Sequence, residues 1–177
     1  ETTGSKETFN PNEFSLKEIL KPSQTALLVV DVQNDFLDPR GKFAGWGRDI
    51  SQMQSTVPHI QEMVDAAHQA KVPVIFTQGF EDIKYRSGPD LRRAVKWGEK
   101  PGDGSVNSEE GTFGAQFYQL QPSDTDIVVE KHKWSAFDGK DREGKSLKEI
   151  LDGLGVRTLV VTGVVATKYD AVKIVDI

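Results

Sequence analysis

The run Ala26-Leu27-Leu28-Val29-Val30, closed by Asp31, decides how the rest of the chain is read. A continuous apolar run with Ser23-Gln24 before it and an acid after it is the pattern of a strand buried on both faces, as in a parallel sheet. Val72-Pro73-Val74-Ile75-Phe76-Thr77 reads as a second such strand, its proline at the start, where a strand tolerates it. Asp126-Ile127-Val128-Val129, Thr158-Leu159-Val160-Val161-Thr162 and Ala171-Val172-Lys173-Ile174-Val175 supply strands three, four and five. Between the first two, Val57, Ile60, Val64, Ala67 and Lys71 fall on helical spacing, with Met63 and Ala70 widening the stripe. Ser55 or Thr56 is the expected cap of that helix, with Pro58 in its first turn. Ser146 to Leu154 reads as a helix closed by Gly155, with Leu147, Ile150, Leu151 and Leu154 on one face. Strands alternating with amphipathic helices predict a three-layer α-β-α domain: a mainly parallel sheet with helices on both faces, Rossmann-like in topology.

Working outward, residues 1–22 form a polar N-terminal extension, with a short helical turn expected near Phe14 to Leu20, and residues 23–177 one domain. The chain has 177 residues, 37% hydrophobic and 28% charged, which excludes a disordered tail or a coiled coil. No apolar run approaches the roughly 18 residues of a bilayer span, so no membrane partner is expected. A net charge of −5 argues against a nucleic-acid partner, whose affinity comes from neutralising phosphates. The polar start shows no targeting pattern, so a cytoplasmic location is expected. Cysteine is absent, which excludes disulfides and thiolate metal sites. The segment 79–114 is charged and glycine-rich, with one short helix expected near Leu91 to Val95; a connection of that length is commonly functional.

In sheets of this kind ligands bind beyond the carboxyl ends of the strands. There the sequence places Asp31 with Gln33-Asn34-Asp35-Phe36, then Gln78, then Lys131 with Trp134, and Gly163 to Thr167. Taken alone, Asp31 also fits a loop cap and Lys131 a solvated side chain. An acid and an amine on one sheet edge together favour a site.

Several stretches resemble the isochorismatase-like cysteine hydrolase superfamily. They are residues 26–36, with Asp31-Val32-Gln33-Asn34-Asp35-Phe36; Val74-Ile75-Phe76-Thr77-Gln78; Glu110 to Phe117; residues 126–137, with Lys131-His132-Lys133-Trp134-Ser135-Ala136-Phe137; and Leu159 to Thr167. The resemblance implies an isochorismatase-like fold and a hydrolase of small molecules, cleaving a C–N bond of an amide or ureide through an Asp-Lys-Cys triad. Asp31 and Lys131 match two members of that triad. The family lysine stands four residues before the Ser-Ala-Phe serine, which selects Lys131 over Lys133. The resemblance further implies a cis peptide at Val165-Ala166 that aims N–H groups at an oxyanion, and a homo-oligomer, dimer or tetramer. Phe36, Gln78 and Trp134 are the candidate substrate contacts. Some relatives bind a metal through an acid and two histidines after strand two; Phe80-Glu81-Asp82-Ile83-Lys84-Tyr85 holds no histidine, so no metal and no cofactor is expected. His59 and His68 read as surface residues of the first helix, and His132 as a loop residue.

The third member of the triad has no counterpart, because the chain holds no cysteine. Strands four and five are expected to be parallel, and a crossover between parallel strands needs a dozen or more residues where only residues 163–170 are present. This predicts a segment absent between about Thr167 and Lys168, on the order of 12 to 20 residues. Two alternatives dispense with the thiol: an isochorismatase-type hydrolase that protonates a vinyl ether through Asp31, and an inactive relative that serves as a binding module.

Overall fold

The computed structural model describes residues 15–81, 83–96, 106–164 and 172–176. Five strands form one sheet in the order β3-β2-β1-β4-β5: β1 Thr25–Val30, β2 Val74–Gly79, β3 Ile127–Lys131, β4 Thr158–Gly163 and β5 Val172–Asp176. β1 lies at the centre and pairs in parallel with β2 (Val30 opposite Thr77) and β4 (Val30 opposite Gly163), and β2 pairs in parallel with β3. The described helices are α1 Leu16–Ile19, α2 Asn34–Leu37, α3 Lys42–Gly45, α4 Ser51–Gln69, α5 Gly88–Lys96 and α6 Leu147–Leu154.

The period of two along each strand builds the layers. Leu27 and Val29 of β1, with Val74 and Phe76 of β2, pack on the face covered by Val57, Ile60, Val64 and Ala67 of α4. Ala26, Leu28, Ile75, Val129 and Leu159 point to the other face, where α6 lays down Leu147, Ile150 and Leu151. That double burial is why these strands read as unbroken apolar runs rather than alternating ones. The α6 ends follow local rules: Ser146 Oγ accepts the Glu149 N–H at 3.3 Å, Glu149 returns its carboxylate to the Ser146 N–H at 2.8 Å, and Gly155 closes the helix at φ 67°.

Three expectations need correction. β5 runs antiparallel to β4, with Thr162 opposite Val172. An antiparallel neighbour needs only a short connection, so the crossover-length argument, which took these strands as parallel, does not apply to this pairing. α4 begins at Ser51, one turn earlier than its expected caps, so Pro58 sits inside the helix. Ser55 and Thr56 do not cap; their hydroxyls donate back to Gln52 O and Met53 O at 2.7 Å. Instead the Asp49 carboxylate accepts the Ser51 N–H at 2.9 Å. Lys71 leaves the apolar stripe, because α4 ends at Gln69 and Lys71 turns to φ 56°. No described helix is long and apolar enough to cross a membrane.

Candidate active site

The parallel register brings the carboxyl ends of β3, β2 and β1 side by side. Asp31 follows β1 directly, and its backbone turns to φ 52°, a region costly for a residue with a Cβ. Lys131 ends β3, two strands away, opposite Gly79 of β2. Strands lie about 4.8 Å apart, so an amine on β3 meets an acid after β1 only by reaching across β2. It does so over the one position of that row without a side chain: a Cβ on Gly79 would lie 3.4 Å from Lys131 Nζ and 3.6 Å from Asp31 Oδ1. Lys131 Nζ closes on Asp31 Oδ2 at 2.8 Å, with the two side chains 8% and 15% exposed. Asp31 Oδ1 accepts a hydrogen bond from the Thr77 hydroxyl at 2.7 Å. Lys133, two residues on, is exposed and stands 3.9 Å from Asp138.

Gln33 makes the frame around this pair. Fully buried, it accepts the Gly79 N–H at Oε1 (2.9 Å) and donates from Nε2 to Gly79 O (3.0 Å) and Ala115 O (2.8 Å). Gln78 donates from Nε2 to the same Ala115 carbonyl at 2.8 Å, and Asn34 Nδ2 donates to Phe113 O at 2.9 Å. Residues 113–117 are thereby strapped beside the strand ends. Asp35 has a different task from Asp31. Its buried carboxylate accepts the Ser108 N–H at 2.6 Å and the Lys42 N–H at 3.1 Å, and a Cβ on Gly114 would clash with it at 2.2 Å. Lys42 Nζ in turn donates to Val106 O. The acid is taken up by backbone donors, and it ties residues 106–108 to α3.

With that geometry in view, the chain matches the isochorismatase domain family over residues 25–167. The chain belongs to the isochorismatase family. Among curated proteins it is similar to the ureidoacrylate amidohydrolase RutB of Acinetobacter baylyi, 32% identical over 154 residues, and that of Agrobacterium fabrum, 34% identical over 155 residues. Each match takes in 82% of this chain but 61% and 65% of the relative, so the chain spans under two thirds of their length. Among solved structures it is similar to a cysteine hydrolase from Pseudomonas syringae pv. phaseolicola 1448A (25% identity, TM-score 0.59, 81% of this chain and 61% of that one). An N-carbamoylsarcosine amidase from Thermoplasma acidophilum shares the fold (24% identity, TM-score 0.55, 79% of this chain and 67% of that one).

The other candidate residues of this isochorismatase-family chain are placed as follows. Phe36 is a core side chain, 6% exposed and edge-to-face with Phe43 at 4.9 Å. Gln78 stands at the strand ends, its amide held on Ala115. Trp134 is 77% exposed. Val165 and Ala166, and the junction of Thr167 with Lys168, lie outside the described residues. His132 is no simple loop residue: its ring stacks on Tyr85 at 3.7 Å and on Phe80 at 5.8 Å, beside Lys131. His68 reaches from α4 to Asp126 Oδ1 at 2.7 Å. Among the described residues, no group of three or more His, Cys, Asp or Glu is arranged to hold a metal ion. Thr77 and Gln33 support the pair without being candidate residues of the sequence, although Gln33 lies in the stretch placed at the strand ends. Thr77 carries a signal, being a polar residue within a buried apolar strand, where an unpaired polar group is costly and a partner must exist; Gln33, three residues past β1, does not.

Proposed function

We propose that this chain carries the acid–base centre of a small-molecule hydrolase that cleaves a C–N bond in an amide or ureide. The single observation behind the reading is the Asp31–Lys131 pair, a buried amine on a part-buried acid at the sheet's carboxyl edge. The name ureidoacrylate amidohydrolase, borne by the curated relatives, supports the choice of bond.

In this reading Asp31 takes the proton of a thiol as its sulfur attacks the carbonyl carbon. The C–S bond forms while the carbonyl π electrons move to oxygen. Collapse of the tetrahedral species breaks the C–N bond, and Asp31 delivers its proton to the departing nitrogen. Water then attacks the thioester, again losing its proton to Asp31, and the sulfur leaves and recovers that proton. Lys131 stays cationic and stabilises the negative charge that builds beside it. Backbone N–H groups at Val165-Ala166 are assigned to the oxyanion, each such donor being typically worth about 3 kcal/mol. Gln78, its Nε2 fixed on Ala115, offers Oε1 to a substrate N–H. None of the 177 residues is a cysteine, so the reading requires a nucleophile-bearing segment that this sequence does not hold, which we place after Thr167. That the family match ends at residue 167 supports this position.

The absence of cysteine favours one second reading, in which Asp31 protonates a vinyl ether and no sulfur takes part. Thiol titration of the natural full-length protein, with a panel of ureides, primary amides and isochorismate, separates the two. One reactive thiol and amine release that is lost in Asp31→Asn support C–N hydrolysis. Vinyl-ether cleavage by a thiol-free protein replaces it with the second reading.

A further inference from the structure

We infer that Thr77 is a positioning residue for Asp31, holding both the backbone and the carboxylate of that residue through a single hydroxyl. The inference rests on the hydrolase reading above for its kinetic consequence, though not for its geometry. Thr77 lies opposite Val30 in the β1–β2 register, one residue before Asp31, and is fully buried. Its Oγ1 accepts the Asp31 N–H at 3.2 Å and donates to Asp31 Oδ1 at 2.7 Å. A hydroxyl has one proton; because an N–H is already directed at its oxygen, that proton goes to the carboxylate. Among the described residues the hydroxyl has no other partner.

Three features make this more than a satisfied core threonine. First, the neighbours Val74, Ile75 and Phe76 are all apolar and buried, so valine would serve the packing of this strand equally well. The hydroxyl is tolerated there because Asp31 satisfies it. Second, Asp31 sits at φ 52°, and a strained backbone persists only where its surroundings over-determine it. The Thr77 hydroxyl supplies one such restraint at the residue itself. Third, a β-branched side chain in a strand has little χ1 freedom, so the donor does not swing away. Lys131 holds Oδ2 through a long flexible arm; Thr77 holds Oδ1 through a short stiff one. Together they fix the plane of the carboxylate, and with it the direction of the lone pairs that exchange protons with the reacting groups.

The test compares Thr77→Val, which keeps the shape and removes the hydroxyl, with Thr77→Ser, which keeps the hydroxyl. In the natural full-length enzyme, Thr77→Val is expected to lower kcat by about 10²-fold with KM within about twofold, the loss typical of a misplaced reacting group. Thr77→Ser is expected to recover all but a few-fold. A merely structural role predicts the opposite order, since serine packs worse than valine in this strand. Independently of turnover, selectively ¹³C-labelled aspartate reports the Asp31 carboxyl resonance, assigned through Asp31→Asn. That resonance is expected to move in Thr77→Val and to stay near its original place in Thr77→Ser. An unchanged Asp31 resonance in Thr77→Val, or wild-type kcat in that variant, overturns the inference. Should the unaltered protein hydrolyse none of the amides or ureides, the hydrolase reading fails, and the carboxyl resonance still decides whether Thr77 holds Asp31.

Discussion

Each oxygen of Asp31 has its own donor, the ammonium of Lys131 on Oδ2 and the hydroxyl of Thr77 on Oδ1. Removing the charge therefore does two things at once. Asp31→Asn is expected to reduce turnover by about 10²–10⁴-fold, the range of general acid–base catalysis. It also leaves a buried ammonium without a counter-charge, and breaking one partner of a buried pair costs about 3–5 kcal/mol. Thermal denaturation should therefore show Asp31→Asn melting below the parent protein, with Asp31→Asn/Lys131→Met recovering much of the loss while remaining inactive. If Asp31→Asn melts with the parent, the pair is solvated and weak. A second residue-scale prediction concerns Gly163, which ends β4 at φ 137°; a Cβ there would meet Val30 O at 2.2 Å. Gly163→Ala pushes β4 off β1 just below Asp31, and is expected to cost both stability and activity, read by urea denaturation and by the same assay.

At the scale of elements, α6 shows how far local rules reach. Ser146 and Gly155 bound it in the sequence, and the structure uses both, with Glu149 completing the cap. The hydroxyl and backbone N–H of Ser146 hold the Glu149 carboxyl below the usual carboxylate range, aided by Lys140 and Lys145. A carboxyl lowered in the folded state stabilises above its unfolded value, and that contribution fades as pH falls below about 4. Glu149→Gln should accordingly lower the melting temperature at neutral pH and match the parent near pH 3; equal melting temperatures at pH 7 would count against the cap. Ser146→Ala should cost about 1 kcal/mol at neutral pH. α4 shows the limit of such reading: its apolar stripe was visible, but its start was not. A threonine or serine before a proline looks like a cap, but the helix has already begun at Ser51, its first backbone bond running from the Gln54 N–H to Ile50 O. The four parallel strands were legible because burial on both faces leaves apolar runs. The direction of β5 was not, since a short apolar strand reads alike in either orientation. That Asp31 and Lys131 share one sheet edge was legible from the strand ends, whereas the support from Thr77 and Gln33 depends on register, which no single stretch carries.

Across the whole molecule, the sheet separates two apolar layers, and a cavity in either weakens a shared support. Leu151→Ala, in the α6 layer and 2% exposed, is expected to cost about 2–5 kcal/mol by equilibrium unfolding while leaving the kinetics of the surviving folded fraction intact. A change in KM for that variant would mean that the α6 layer reaches the site. The opposite pattern is expected for Asp35→Asn, which weakens the charge-assisted bonds to the N–H groups of Ser108 and Lys42. There KM should rise more than kcat falls, because residues 106–108 loosen from α3 while Asp31 and Lys131 stay in place. The bridge that Lys131 throws over Gly79 has a last consequence. Acid and amine originate on strands that never touch each other, so their meeting depends on a third strand aligned between them. A slip of one residue in either ladder parts the two charges, and an incompletely zipped sheet has no centre at all. The Asp31–Lys131 pair therefore arrives with the final alignment, and its appearance during refolding is a gauge of correct assembly rather than of compaction.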